Sequence, residues 1–251
     1  MNDWLILPGL ALAAGVLALV PMGRAVLDRG VVFIDLAVAQ AAAAAALWSM
    51  GMMGHEVDWA SDLAGLMGAI VCAALVAVIS RRWPEQREAL IGLLYVLAAC
   101  LAMLGARQDP HGRERMLELL AADVLWARPT AVALLCATAL TLALLLHWRP
   151  QLLLRDAWFY GAFALVVSVS VPVLGLFVVF ALLIGPALWL RHRAGTGIAA
   201  ALFVGWIGSA AGLALSWWAD LPSGPCVALC CAASGLGALL RPGAAGLSPK
   251  P

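Results

Sequence analysis

The residues of this chain best able to do chemistry are the carboxylates that interrupt apolar segments, because an ionisable group is costly to keep there. The clearest is Asp35, in the run Val31-Val32-Phe33-Ile34-Asp35-Leu36-Ala37-Val38-Ala39-Gln40. On a helix Gln40 lies about 140° around the axis from Asp35, so the two are not stacked on one face. Asp35 is also only a turn or so from the end of its segment, which leaves helix capping and a place on a transport pathway both open. Asp123 is the second carboxylate, in Ala121-Ala122-Asp123-Val124-Leu125-Trp126. It precedes an apolar segment, where a carboxylate near a helix N-terminus is the plainer account. Glu56, Asp58 and Asp62 follow His55 in one connecting stretch, and Asp109, His111, Glu114 and Glu118 lie in another. Such groups are ordinarily solvated loop charges. Oxygen and nitrogen donors of this kind also attract hard and borderline cations, so a cation-gathering vestibule is the sharper alternative.

Other chemistries are excluded. A phosphate-binding G-x-x-x-x-G-K-[ST] loop cannot be present, since the only lysine is Lys250. The chain has no H-E-x-x-H, no G-x-S-x-G and no recognisable triad, so it is not expected to be an enzyme. ATP, where it drives the activity, must be hydrolysed by a separate subunit. The six cysteines are scattered through apolar segments and read as small packing residues, with the Cys226–Cys230 spacing a weak metal signal at best. No basic run or aromatic-basic platform suits nucleic acid.

The elements that must hold these residues are membrane-spanning helices. Charged residues make up 12% of the chain and hydrophobic ones 65%, and the mean hydropathy is +0.99. A soluble domain of this length needs far more polar surface. The apolar runs are continuous rather than alternating, which disfavours a β-barrel. The expected fold is an all-α, polytopic transmembrane bundle of about eight or nine spans, one domain over residues 1–251. Segments of spanning length fall at about 4–23, 31–53, 63–80, 89–106, 128–147, 157–172, 173–190, 196–217 and 224–240. The run 157–190 is too long for one helix and is predicted to hinge at Pro172.

Charge gives the orientation. Placing 24–30, 81–88, 148–156, 191–195 and 241–251 inside puts eleven of the 15 basic residues there, leaving Arg107, Arg113, Arg115 and Arg128 outside. The predicted topology is N-out and C-in. Trp4, Trp59, Trp126, Trp217 and Trp218 then fall near the outer boundary, and Trp83, Trp148, Trp158 and Trp189 near the inner one, as an aromatic belt requires. The opening Met1-Asn2-Asp3-Trp4 lacks the positive flank of a cleaved signal peptide, so the first helix is expected to remain in the membrane.

Three segments, in chain order, resemble the permease subunits of the zinc/manganese/iron ABC importer family. Pro21-Met22-Gly23-Arg24 through Ala41 is similar to the family's basic turn and its Gly-Asp-x-x-Ser-His-Ala second-helix signature. Pro110-His111-Gly112-Arg113-Glu114 through Trp126 resembles its outer loop and the start of the following span. Val173-Leu174-Gly175-Leu176 through Ala181-Leu182-Leu183-Ile184-Gly185-Pro186-Ala187 resembles its Ala-Leu-Leu-Ile-x-Pro-Ala run and is the most specific of the three. The resemblance implies a type II ABC importer-like permease in a bacterial inner membrane, without a covalently bound cofactor and moving a divalent metal ion. The implied partners are cytoplasmic ATPase subunits, an extracytoplasmic metal-binding protein, and a second permease copy or paralogue completing a dimer in the bilayer. On this reading Asp35 and Gln40 lie on the metal route, with His111, Glu114 and Asp123 near its outer entrance. Two departures stand out. Gln40 takes the place of the family histidine, with Asp35 one position off the family aspartate. The family's ATPase-docking segment is shortened to Trp148–Asp156, where a two-turn helix still fits, its start constrained by Pro150. The departures motivate one alternative, a non-transporting assembly or regulatory subunit. Asp35 motivates another, a gradient-driven cation carrier.

Overall fold

The computed structural model describes residues 3–53, 58–107, 114, 117, 120–192 and 197–240. Long apolar runs without alternation form helices, and those residues contain nine of them: α1 (Asp3–Arg29), α2 (Ile34–Met53), α3 (Asp58–Arg82), α4 (Arg87–Ala106), α5 (Pro129–Trp148), α6 (Asp156–Leu174), α7 (Leu176–His192), α8 (Ile198–Ala219) and α9 (Ser223–Leu240). No strand occurs among the described residues. Six of the helices (α1, α3, α4, α5, α6 and α8) are long and apolar enough to cross a membrane, and apolar stretches of α2, α7 and α9 are shorter. The chain is a multi-pass membrane protein of all-helical build.

Each predicted segment contains one helix, but three local expectations are corrected. The first helix runs on to Arg29 instead of ending near residue 23, so Arg24 lies within it and pairs with Asp28 one turn later. The break in 157–190 is not at Pro172. That proline lies inside α6, and the chain turns three residues on, at Gly175, whose φ of 79° and ψ of 154° suit glycine and little else. Proline forfeits one backbone hydrogen bond, which a packed membrane helix tolerates. The positive φ at Gly175 stops the helix outright. The Trp148–Asp156 segment forms a five-residue 3₁₀ helix, Pro150–Leu154, not two α-helical turns.

Two ends of the bundle can be followed through side-chain contacts. At one end the C-termini of α1 and α3 meet the α5–α6 linker, since Arg29 and Arg81 both reach Asp156. The N-terminus of α4 joins them, with the Arg87 guanidinium against Gly30 and Glu88 accepting from the Val32 amide. At the other end residues 120–126 pack on the α6–α7 junction and the start of α9: a Cβ on Gly175 would meet the Ala122 nitrogen, and Ser223 bonds Asp123 and Val124. Helix α2 is enclosed at its beginning, touching α3, α4, α6 and α7. Close helix approach there and elsewhere depends on small residues. A Cβ at Gly23 would overlap the Leu183 carbonyl, and one at Gly68 the Ala41 carbonyl.

Candidate functional site

Asp35 occupies the first turn of α2, just past a turn in which Gly30 takes φ 59° and the Ile34 amide donates to the Val31 carbonyl. A carboxylate in the first turn suits the positive end of the helix dipole. Its surroundings are otherwise apolar. The side chain is fully buried, and neither carboxylate oxygen has a hydrogen-bond partner among the described residues. The amides of Asp35 and Leu36 face the carboxylate, but neither closes a hydrogen bond with it.

Gln40 is also buried, with its Oε1 unpaired. The 140° between the two residues therefore does not send one to the lipid, because the first half of α2 is surrounded: Ile34, Ala37, Val38 and Ala39 are buried with them. On α6, Ser170 is fully buried and its Oγ has no partner. Reckoned along the helix axes from the Arg29 end, Asp35 lies in the first turn, Gln40 about 9 Å on and Ser170 about 21 Å on. Because α2 packs on α6, orphaned oxygens are distributed through the bundle from one end toward the other. A buried polar group without a partner costs roughly 1–3 kcal/mol, so each calls for an explanation. Sequence reasoning missed Ser170. One of two serines in the apolar run Val166–Val173, it looks like small packing, and only its burial and unpaired hydroxyl set it apart from Ser168, which bonds the Ala164 carbonyl.

Asp123 belongs to the other end. It caps the 3₁₀ turn Val124–Trp126, its Oδ1 accepting from the Leu125 amide at 3.2 Å and from the Ser223 hydroxyl. The same hydroxyl accepts from the buried Val124 amide at 3.0 Å. Asp123 is thus separated from Asp35 by the length of α5, about 30 Å, and is satisfied by local donors. Glu114 is exposed and helical, and His111 lies outside the described residues. No group of three His, Cys, Asp or Glu side chains close enough to hold a metal occurs among the described residues. The structure therefore keeps Asp35 and Gln40 together on α2 and does not bring Asp123 to them.

Two cavities flank this arrangement. A groove of about 390 Å³ between α2, α3 and α4 is apolar, with Ala41, Ala45, Trp48, Gly68, Val71 and Leu97 among its walls. A smaller one of about 210 Å³ lies between α1 and α7, lined by Arg24, Leu27, Asp28, Ala187 and Leu190. Neither is lined by Asp35, Gln40 or Ser170, which packing walls off from both.

Comparison with known proteins bears on this bundle twice. Residues 150–241 match the model of the ABC 3 transport family. The fold is similar to that of a chain of PsaBC from Streptococcus pneumoniae, solved in complex with Fab, with a TM-score of 0.73 at 17% identity over 94% of this chain and 91% of that one. No curated protein matches by sequence. The matched segment contains Val173–Ala187, the most specific of the three resemblances in the sequence, whereas those at 21–41 and 110–126 fall outside it. Residues 150–241 are thus similar in sequence to the ABC 3 transport family, on a fold shared with a PsaBC chain along nearly its whole length.

Proposed function

We propose that the chain is the membrane-spanning permease subunit of an ABC transporter that imports a divalent metal cation, zinc, manganese or iron, with ATP hydrolysed by a separate subunit. The observation that carries this reading is the fully buried, unpartnered carboxylate of Asp35 in a bundle with the fold of a PsaBC chain. The ABC 3 transport match over 150–241 supports the transporter class. Nine spans with the N-terminus outside and the C-terminus in the cytoplasm of a bacterial inner membrane fit the alternation of helix ends and the charge bias of the loops. The Arg29 end is then cytoplasmic and the Asp123 end external.

Cation would enter from an extracytoplasmic binding protein at the external end and pass the orphaned oxygens of Ser170, Gln40 and Asp35. A second permease copy or paralogue would complete the passage, since no metal-holding group of His, Cys, Asp and Glu occurs among the described residues. His111 and Glu114 are assigned to the external approach. Asp123 serves there by holding the 124–126 turn. The test is uptake of radioactive zinc or manganese in cells stripped of competing importers and supplied with the cognate ATPase and binding protein. Asp35→Asn is expected to lower uptake at least ten-fold at equal chain abundance. Uptake that survives deletion of the whole gene would sink the proposal.

A non-transporting assembly or regulatory subunit is favoured by two observations: Gln40 stands where a histidine would ligate metal better, and the α5–α6 linker is only a short 3₁₀ helix. Metal-dependent stimulation of a co-purified ATPase by this chain would exclude it.

A further inference from the structure

The α5–α6 linker is the shortened segment at the cytoplasmic end, and its outer surface is apolar: Trp148 is 75% exposed and Leu154 76%. Its inner surface is fastened by one residue of α1. The Arg29 side chain is largely buried. One Nη2–H donates to the Leu153 carbonyl at 2.7 Å and Nη2 lies 3.5 Å from Asp156 Oδ1, while Nη1 donates to the Ala25 carbonyl of its own helix. The guanidinium also lies over the Phe159 ring at 4.2 Å. Arg81 of α3 takes the other oxygen of Asp156 at 3.5 Å. A planar, five-donor guanidinium can hold a carbonyl, a carboxylate and a ring face at once, and a lysine cannot.

Arg29 is also the last residue of α1. Beyond it lie only Gly30, Val31, Val32 and Phe33 before α2 begins, with Asp35 in its first turn. That connection is short and braced, Gly30 by Arg87 and the Val32 amide by Glu88. A displacement of the linker therefore pulls on Arg29, and through four residues on the helix start that carries Asp35. We infer that Arg29 is a positioning residue that transmits movement of the α5–α6 linker, imposed by a cytoplasmic ATPase subunit, to the α1–α2 turn and the Asp35 carboxylate. This inference rests on the permease reading above.

The experiment uses the complete complex in proteoliposomes, with ATP hydrolysis and zinc or manganese uptake measured on the same preparation. Arg29→Met keeps the stack on Phe159 and removes every donor. Arg29→Lys keeps the charge. The inference expects both variants to co-purify with the ATPase and to hydrolyse ATP within two-fold of the parent. Metal moved per ATP should fall at least ten-fold in Arg29→Met and less in Arg29→Lys. An unchanged ratio, with or without a loss of both activities in proportion, would overturn it, because a merely structural arginine lowers the two together. Should Arg29→Met not accumulate, the ratio measured on Arg29→Lys alone decides, an undiminished value again counting against transmission. A parent complex whose hydrolysis ignores both metal and this chain would overturn the permease reading itself, which is a different failure.

Discussion

One substitution made at two glycines of the same helix should act with opposite signs. Gly175 ends α6 at φ 79° and ψ 154°, and an ideal Cβ there would stand 2.6 Å from the Ala122 nitrogen, where ordinary contact begins near 3.4 Å. Gly161 lies in the second turn of α6, exposed, with nothing within 4 Å of its would-be Cβ. For Gly175→Ala, holding a non-glycine residue in that backbone region costs about 1–3 kcal/mol. Forcing apart the 120–122 segment adds an overpacking cost of about 1–3 kcal/mol. The expected loss is therefore about 2–6 kcal/mol, lowering the midpoint of thermal unfolding by roughly 2–4 °C per kcal/mol for a chain of this size. For Gly161→Ala the only change is backbone entropy in a helix interior, a gain of about 0.5–1 kcal/mol. Thermal unfolding of both variants in one detergent, followed by near-ultraviolet signals from the tryptophans, reads the difference directly. Equal midpoints for the two would refute the placement of the helix break at Gly175.

Two further substitutions test the packing that holds the external end and the helix contacts. Ser223→Ala strands the buried Val124 amide and takes a donor from Asp123, a loss of about 2 kcal/mol; hydrogen exchange at Val124 and Leu125 should quicken, and unaltered exchange there would show the hydroxyl to be dispensable. Gly23→Ala sets a methyl group into the Leu183 carbonyl and should cost at least about 2 kcal/mol, whereas Gly9→Ala, with open space around it in the same helix, should gain about 0.5–1 kcal/mol; equal thermal midpoints would contradict the close approach of α1 and α7.

Run length and composition were enough to locate the nine long helices among the described residues, because a membrane leaves the backbone no alternative but to satisfy its own hydrogen bonds. The break between α6 and α7 was misplaced for a physical reason. Pro172 is the conspicuous residue in that run, but its ring merely removes one bond, whereas Gly175 is inconspicuous among small residues and becomes decisive only once Ala122 is packed against it. Asp35 was legible as an anomalous charge in an apolar segment. Its enclosure together with Gln40 was not, since a single helix says nothing about how many neighbours surround it. Asp123 was read as standing at the start of the following span, but it caps the separate 3₁₀ turn 124–126, and its partner Ser223 lies 100 positions away. Arg29 reads in the sequence as one more inner-side positive charge, and its bonds to Leu153 and Asp156 depend on tertiary contact.

The orphaned oxygens also bear on why this bundle keeps its small-residue seams. Asp35, Gln40 and Ser170 together cost on the order of 3–9 kcal/mol if each follows the usual penalty, against a total stability of about 5–15 kcal/mol for a typical protein. Lipid tails offer no hydrophobic drive to press helices together, so the offset must come from close packing and from bonds between helices. The glycines meet that requirement, with Gly185 and Gly235 nearly touching backbone to backbone and Gly212 set against Val227. These seams join α7, α8 and α9, and Gly68 against the Ala41 carbonyl makes another between α3 and α2, while the unpaired oxygens belong to α2, α3 and α6. The elements that carry the unpaired oxygens are thus themselves held by close packing, which offsets the cost where it is incurred.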